Sequence, residues 1–472
     1  MPDARTPGKL EADTIVALAT PPGRGALGVI RLSGPDAGAI LLRLAPGLNG
    51  TLPPLRTARL LALHEPVTGE LLDRGLVTWF PAPGSYTGED SVELSVHGGS
   101  LVPALVKAAC ERAGAREARA GEFTQRAYLN GKVDLVQAEA VRDLVEAETE
   151  HQRRAALHQA EGGLSRRLSE LRERLVHLEA LLVYHVDFPD EDEPPVPLAR
   201  IVEEGGSLVG QLERLVATAP EGELLREGAL AVLAGRPNSG KSSLFNALLG
   251  HPRAIVTDQP GTTRDAIEAG VSLGGFPFRL VDTAGIREEA EEIERLGIEV
   301  ARRYLDRAAV VLLCSRADEV WGEEEEAFLR QLGDDPPVVV LRTMRDRVVR
   351  VAGAEKGEES WNARASGPAI EISAEDGTGL DELRRRLPEL LFSGLIDRTG
   401  EEPLIMRRRQ REGLEQAKKE VADFVEALRS GLPAEVAGTH LRAAETALEQ
   451  LLGVISGEEV LDRVFSDFCI GK

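Results

Sequence analysis

Cysteine is nearly absent. Three occur in 472 residues, Cys110, Cys314 and Cys469, too few and too scattered for a disulfide framework or a metal knuckle. Cys110 lies in an apolar helical pattern, Leu101 to Arg112, and Cys314 ends an apolar strand-like run, so both read as small core residues. A reducing, cytoplasmic setting fits. Long apolar runs are missing too. No stretch approaches the ~18 apolar residues of a membrane helix, so no membrane association is expected. Met1-Pro2-Asp3-Ala4-Arg5 leads into no apolar run, so no secretory signal is expected. Positive charge is scarce as well: 56 Lys and Arg against 78 Asp and Glu leave a net charge of -22. That argues against a bulk electrostatic grip on nucleic acid, which needs clustered basic residues. Any such contact is local or delegated to a partner.

What is present describes a folded chain of more than one domain, 42% hydrophobic and 28% charged. Residues 14–19, 28–32 and 76–80 read as strands, 81–84 as a turn and 101–112 as a helix, which makes a mixed α+β domain over residues 1–130. Over 131–222 the period becomes helical, with Leu171, Leu175, Leu178, Leu181 and Leu182 on one stripe, until the acidic, proline-rich stretch Asp187 to Pro195 breaks it. From 223 to 385 short apolar runs (230–234, 279–281, 308–313, 338–341, 370–372) alternate with helical segments, the pattern of a doubly wound α/β domain. Helical periodicity returns over 386–472. Neither helical block is complete alone. The economical reading is one discontinuous helical domain with the α/β domain inserted into it. Residues 352–367 read as an exposed loop.

Gly235-Arg236-Pro237-Asn238-Ser239-Gly240-Lys241-Ser242 matches G-x-x-x-x-G-K-[ST], between an apolar strand-like run and the helical pattern 244–249. In that context backbone N–H groups and a helix N-terminus cradle phosphate. Lys241 supplies charge to the β and γ phosphates, and the Ser242 hydroxyl ligates Mg²⁺. Asp282-Thr283-Ala284-Gly285 follows the next strand-like run. Asp282 can hold Mg²⁺ through water, and Gly285 can offer its N–H to the γ phosphate. Gly261-Thr262-Thr263-Arg264-Asp265 lies between, where a switch threonine would close over the metal. Ser373-Ala374 fits a backbone contact to a guanine carbonyl. The guanine-selecting N-K-x-D reads Thr343-Met344-Arg345-Asp346: the carboxylate is kept, the Asn and Lys are not. Ser315-Arg316-Ala317-Asp318 comes one strand too early to replace it. Guanine preference with looser binding is the expectation.

The loop G-R-P-N-S-G-K-S-S, which includes Ser243, occurs here with Thr257-Asp258-Gln259-Pro260-Gly261-Thr262-Thr263-Arg264-Asp265 and with D-T-A-G-I-R-E. Alongside these stand Thr20-Pro21-Pro22-Gly23-Arg24-Gly25, Gly121-Glu122-Phe123-Thr124-Gln125-Arg126-Ala127 with Asn130-Gly131-Lys132, and the tail Phe468-Cys469-Ile470-Gly471-Lys472. Together they resemble the MnmE (TrmE) family of bacterial tRNA-modifying GTPases, from about residue 13 to 472. The resemblance implies an N-terminal folate-binding domain that also forms a homodimer, and a Ras-like G domain inserted in the helical one. It also implies a heterotetramer with the flavoprotein MnmG (GidA), which does much of the tRNA holding. The reaction implied is aminomethylation or carboxymethylaminomethylation at C5 of the wobble uridine. The one-carbon unit comes from 5,10-methylenetetrahydrofolate, with 5-formyltetrahydrofolate as a bound analogue. K⁺-dependent dimerisation of the G domains drives hydrolysis. On that pattern Asn238, Thr257, Gln259 and Thr262 hold K⁺, Thr263 joins Ser242 at Mg²⁺, and Glu294 orients the attacking water. Arg31, Glu93, Lys132 and the terminal Lys472 map to folate contacts. The tail would return to that site, and Cys469 either takes part in the chemistry or only packs.

Two other readings stand beside this one. A GTP-dependent assembly or regulatory switch would use the same phosphate site without modification chemistry. A folate-dependent aminomethyl transferase with a decayed G domain is raised by Thr343 and Met344, against which the intact Lys241, Ser242, Asp282 and Gly285 count.

Overall fold

Alternation of buried and partly exposed residues along its central strands, 27–33 and 91–97, builds the first sheet. In β1 (Ile15–Leu18), β2 (Leu27–Ser33), β3 (Arg59–His64), β4 (Leu71–Phe80), β5 (Ser91–His97) and β6 (Arg116–Glu117) the order across the sheet is β3-β4-β5-β2-β1-β6. All pairs are antiparallel except β1 with β6. Ile30 faces Leu94 and Leu32 faces Val92 in register, and all four are buried. Helices Ala37–Leu44 and Leu101–Arg112 supply Ile40, Leu41, Leu44, Val106, Ala109 and Cys110 to the same core. Because side chains alternate at a period of two, Arg31 and its register partner Glu93 stand on the opposite face.

The computed structural model describes residues 13–187, 196–250, 268–282, 302–332, 335–348, 365–396, 403–455, 457–466 and 468–471. Contacts divide the chain into two compact units, one of Met1–Arg142, Gln159–Val176 and Arg442–Lys472, the other of Asp143–His158 and His177–Leu441.

The second unit contains the second sheet: β7 (Ala229–Ala234), β8 (Glu268–Leu273), β9 (Phe276–Asp282), β10 (Val310–Arg316), β11 (Val338–Thr343) and β12 (Ile370–Glu371), in the order β12-β11-β10-β7-β9-β8. Every pair is parallel except the edge hairpin β8–β9. Every residue of β7 is buried. Ala229, Ala231 and Leu233 pack with Leu244, Leu248, Leu383 and Leu387, while Leu230 and Val232 pack with Tyr304 and Leu305. Both faces are therefore covered, as a parallel sheet requires. The thiols of Cys110 and Cys314 are buried, and burial pushes both up to about 12. They are inert core groups at neutral pH.

Helices flank this sheet domain in the chain. Leu198–Val216 packs on Arg408–Arg429, where Gly205 admits the Val425 side chain: a Cβ on Gly205 would lie 2.7 Å from Val425 Cγ2. The buried carboxylate of Asp143 accepts from Arg226 Nε at 3.0 Å and from Arg407 Nη2 at 2.6 Å. Arg226 precedes β7 and Arg407 follows the last helix of the sheet domain. One carboxylate thus fastens both the entry and the exit of the insertion. Among the described residues no helix is long and apolar enough to cross a membrane.

The strands at 15–18 and 27–33 and the helix at 101–112 lie where the sequence patterns put them, while the strand expected at 76–80 begins earlier, at Leu71. β3 and β8 carry no clean apolar signal and are settled by their hairpin partners β4 and β9. The acidic stretch after Asp187 and most of the 352–367 segment lie outside the described residues.

Replacing Asp143 by Ala leaves two half-buried guanidinium groups without this carboxylate. The unfolding free energy from urea titration is expected to fall by about 3 kcal/mol, and Asp143→Asn by less. A change within experimental error would show that the clasp contributes nothing to stability.

Candidate functional site

The phosphate loop runs from Gly235 to Gly240 between β7 and the helix Lys241–Leu249. A Cβ on Gly235 would lie 2.2 Å from the carbonyl oxygen of Cys314 on β10, so only glycine fits there. Gly240 caps the helix with φ +84°, and Asn238 also holds a left-handed conformation, with φ 60°. A nine-residue helix opening from such a loop places backbone N–H groups and partial positive charge at one point.

Lys241 is 4% exposed, and its Nζ donates to the carbonyl oxygens of Arg236 at 2.7 Å and Gly235 at 3.1 Å. Its ammonium is therefore held over the loop itself. Ser242 Oγ donates to Asp282 Oδ2 at 2.6 Å, across from the end of β9. A hydroxyl and a carboxylate in contact are hard oxygen donors of the type Mg²⁺ selects. Asn238, Gly240, Lys241, Ser242 and Ser243 line a cavity of about 760 Å³, together with Met344 and Arg347 from the far side. Ser239 lies behind the wall, 2% exposed.

On the base side, β11 ends at Thr343, Met344 takes a left-handed conformation, and Arg345–Arg347 form a short turn on which Asp346 is exposed. The N–H of Arg345 donates to Ile372 O at 3.0 Å, bringing this turn beside Ser373 and Ala374. Ser373 is fully buried, and its Oγ accepts from Asp376 N at 3.3 Å. The early lookalike is occupied internally: Asp318 accepts from Arg316 at 2.7 and 2.9 Å.

In the N-terminal unit, Arg31 Nη2 and Nε donate to Glu93 Oε1 at 2.8 and 3.0 Å. The guanidinium lies 5.6 Å from the centre of the Tyr86 ring and 5.8 Å from that of Phe123. Tyr86 OH is 2.9 Å from Thr124 Oγ1. Lys132 Nζ donates to Pro83 O at 3.0 Å and Asn130 Nδ2 to Thr87 O at 2.8 Å, so both grip the loop that carries Tyr86. The tail reaches this unit. Ile470 pairs with Ala120, the carbonyl of Cys469 accepts from Gly121 N at 3.4 Å, and a Cβ on Gly471 would lie 2.5 Å from Leu18 O. Cys469 itself is exposed. Helix Glu122–Leu129 thus carries Phe123 under Arg31, while the glycine that caps it meets the tail.

Thr257, Asp258, Gln259, Pro260, Gly261, Thr262, Thr263, Thr283, Ala284, Gly285, Glu294 and Lys472 lie outside the described residues. Tyr86, Thr343 and Met344 are the positions to which sequence reasoning gave no role. Tyr86 sits in the turn-forming string Ser85-Tyr86-Thr87-Gly88, where an aromatic has no local reason to be. Phe123 was visible only as a letter of a motif.

Beneath the folate candidates lies a buried charge network. Glu122, fully buried, accepts from Arg116 at 2.7 and 3.1 Å, from Arg119 N at 2.8 Å and from Arg126 at 3.0 Å. Arg126, 1% exposed, also reaches Asp13 at 2.7 Å and Glu89 at 3.2 Å.

Two family models match the chain. The GTP-binding protein TrmE N-terminus covers residues 14–132, and the MnmE helical domain covers residues 135–469. Among curated proteins, the tRNA modification GTPase MnmE of Moorella thermoacetica is 41% identical over 466 residues, 98% of this chain and 99% of its own length. That of Heliobacterium modesticaldum is 40% identical over 469 residues, and that of Pectobacterium carotovorum is 39% identical over 469, each again with 98% of this chain and 99% of its own length aligned.

Burial raises the Glu122 carboxyl, but its bonds from Arg116, Arg119 and Arg126 outweigh that and bring it from 4.5 down to about 2. A depressed carboxyl stabilises the fold fully above its unfolded value and loses that contribution as pH falls towards the folded one. Melting followed by circular dichroism is expected to weaken steadily between pH 4.5 and about 2. Glu122→Gln should flatten that limb while lowering stability at pH 7. An acid limb unchanged by the substitution would remove Glu122 as its source.

Proposed function

Because the chain belongs to the MnmE (TrmE) family of tRNA modification GTPases, we propose that it is a K⁺-activated GTPase acting at C5 of the wobble uridine of tRNA. It works with a flavoprotein partner and takes its one-carbon unit from a tetrahydrofolate. The observation that carries the nucleotide part is the Ser242–Asp282 contact at 2.6 Å beside the buried Lys241. These groups converge on the mouth of a phosphate loop, and the family resemblance spans both ends of the chain around it.

In this reading residues 223–385 are the nucleotide module, inserted between the helical segments 131–222 and 386–472. Lys241 moves from the loop carbonyls to the β and γ phosphates when they arrive, a charge-for-dipole exchange that favours the anion. Ser242, with Thr263, holds Mg²⁺, and Asp282 anchors the Ser242 hydroxyl's orientation and the metal's water shell. Mg²⁺, when bound, neutralises charge that develops on the phosphate oxygens. Asn238, with oxygens of Thr257, Gln259 and Thr262, holds K⁺. That adds positive charge at the place where other nucleotide hydrolases insert an arginine. Glu294 orients the attacking water, and Gly285 offers its N–H to the γ phosphate. Two G domains meet over this site in the homodimer.

The folate would lie against the Arg31–Glu93 face. Glu93 can accept from the N–H donors of a pterin, Tyr86 offers an aromatic face, and Lys132 with Lys472 suits anionic groups of the ligand. The docked tail places Cys469 in the same unit. A cytoplasmic location fits this substrate set.

GTP hydrolysis is expected to run at least about tenfold faster in KCl than in NaCl at equal ionic strength, the scale of losing one transition-state charge contact. Equal rates in the two salts would end the K⁺ assignment. Glu294→Ala is expected to lower kcat on the order of 100-fold with little change in GDP affinity, and a wild-type rate would remove its role. Isothermal titration with 5-formyltetrahydrofolate should show binding that Glu93→Gln weakens on the order of tenfold; undiminished binding would move the folate site elsewhere.

A further inference from the structure

The guanine turn departs from N-K-x-D at its first two positions, and the geometry around them is specific. Thr343 is 3% exposed. Its Oγ1 donates to the carbonyl oxygen of Ser239, in the middle of the phosphate loop, at 2.6 Å, and Ser315 O lies 3.2 Å away. Arg316 is its register partner on β10. The hydroxyl therefore ties the end of β11 to the phosphate loop, from a strand two places away in the sheet. Met344, next in the chain, holds φ 56° and ψ 40°, a conformation that side-chain-bearing residues seldom adopt. Its methyl Cε comes within 3.6 Å of where a Cβ on Gly240 would sit, and it lines the nucleotide cavity. A thioether stem thus crosses the cavity wall from the base turn to the last glycine of the loop. Asp346, two residues on, is exposed.

We propose that Thr343 and Met344 replace the missing Asn-Lys pair as a working unit. Thr343 is a positioning residue that holds the base turn against the phosphate loop through the Ser239 carbonyl. Met344 is a binding residue that covers the base with a polarisable apolar surface in place of a charged one. The ligand remains a guanine nucleotide, because Asp346 alone reads the N1 and N2 protons. Met344 adds contact without direction: it strengthens binding of any purine alike, so all of the discrimination falls on the carboxylate. This inference rests on the nucleotide site proposed above. It opposes the reading of a decayed G domain, since decay would leave Thr343 without its partner and Met344 away from the loop.

The test is titration of the full-length chain with the fluorescent analogue mant-GDP, and competition by GDP, IDP and ADP, in the wild type and four variants. Thr343→Val, which keeps the shape and removes the donor, should weaken mant-GDP roughly tenfold, the scale of one buried hydrogen bond. Most of the loss should appear as faster dissociation. Thr343→Ser should return affinity to within about twofold of the wild type. In hydrolysis assays Thr343→Val should raise KM and leave kcat nearly unchanged. Met344→Ala should weaken GDP, IDP and ADP by the same several-fold factor, a lost apolar contact of a few tens of Å². Asp346→Asn should abolish the preference for GDP over ADP. Melting of the nucleotide-free chain separates misfolding from site effects. If Thr343→Val does not fold, the equal loss across three bases in Met344→Ala carries the decision.

Thr343→Val within twofold of the wild type, or failure of Ser to rescue it, overturns the positioning role. A Met344→Ala loss confined to GDP overturns the undirected cover. A wild-type chain that binds no mant-GDP at all sinks the nucleotide site itself, a result distinct from either.

Discussion

The nucleotide site depends on one close approach. The loop backbone at Gly235 passes so near the carbonyl oxygen of Cys314 that a Cβ would stand 2.2 Å from it. That contact seats the loop on β10. The same strand pairs with β7, from which the loop departs, and with β11, which delivers Thr343. Loop and base turn are therefore referenced to one strand. Lys241 and Ser242 follow because the helix begins where the loop ends, and Asp282 follows because β9 pairs with β7 on its other side. Parallel strands with buried faces are the stiffest part of such a domain, so the parts that must not move share it.

A different regularity organises the N-terminal unit. Its sheet buries one face against two helices, and period-two alternation sends Arg31 and Glu93 to the other. Two oppositely charged residues directly across a strand pair satisfy each other cheaply when nothing else is present. The pair is 23% and 32% exposed, between two aromatic rings. A ligand that offers donors to the carboxylate can separate it from the arginine without stranding either charge. The tail adds order from the far end of the chain. A left-handed Gly471 against Leu18 and a bridge from Ile470 to Ala120 fix a segment that would otherwise fray.

Much of this was legible beforehand for identifiable reasons. The phosphate loop is written in the sequence because only glycine tolerates the approach at 235 and the turn at 240. The parallel strands are written as unbroken apolar runs because both of their faces are buried. The helical stripe through Leu171, Leu175 and Leu178 was readable because each of these is buried. Less legible were β3, with exposed Arg59 and Leu60, and β8, an edge strand: pairing, not composition, makes them strands. Tyr86 was invisible because its partners, Arg31 and Thr124, lie 55 and 38 residues away. Thr343 looked like a loss because the motif is defined by side-chain type. Its hydroxyl reaches Ser239 O across a separation of 104 residues, and no local pattern records that.

The charge balance poses a last question: how a chain of net charge -22 holds a polyphosphate. Of the nearby arginines, Arg236 is engaged by Glu325 and Glu324 and Arg316 by Asp318 and Glu319, while Arg347 is exposed at the cavity wall. The attraction falls to Lys241, which is buried, and to the helix N-terminus behind it. Both act within a few ångströms of the anion and away from bulk water, where charge interactions are least screened. Glu324 and Glu325 line the same cavity, paired there with Arg236. A compact anion can be bound that way. An extended polyanion spans many Debye lengths, so it would also meet the charge of the surface around the site.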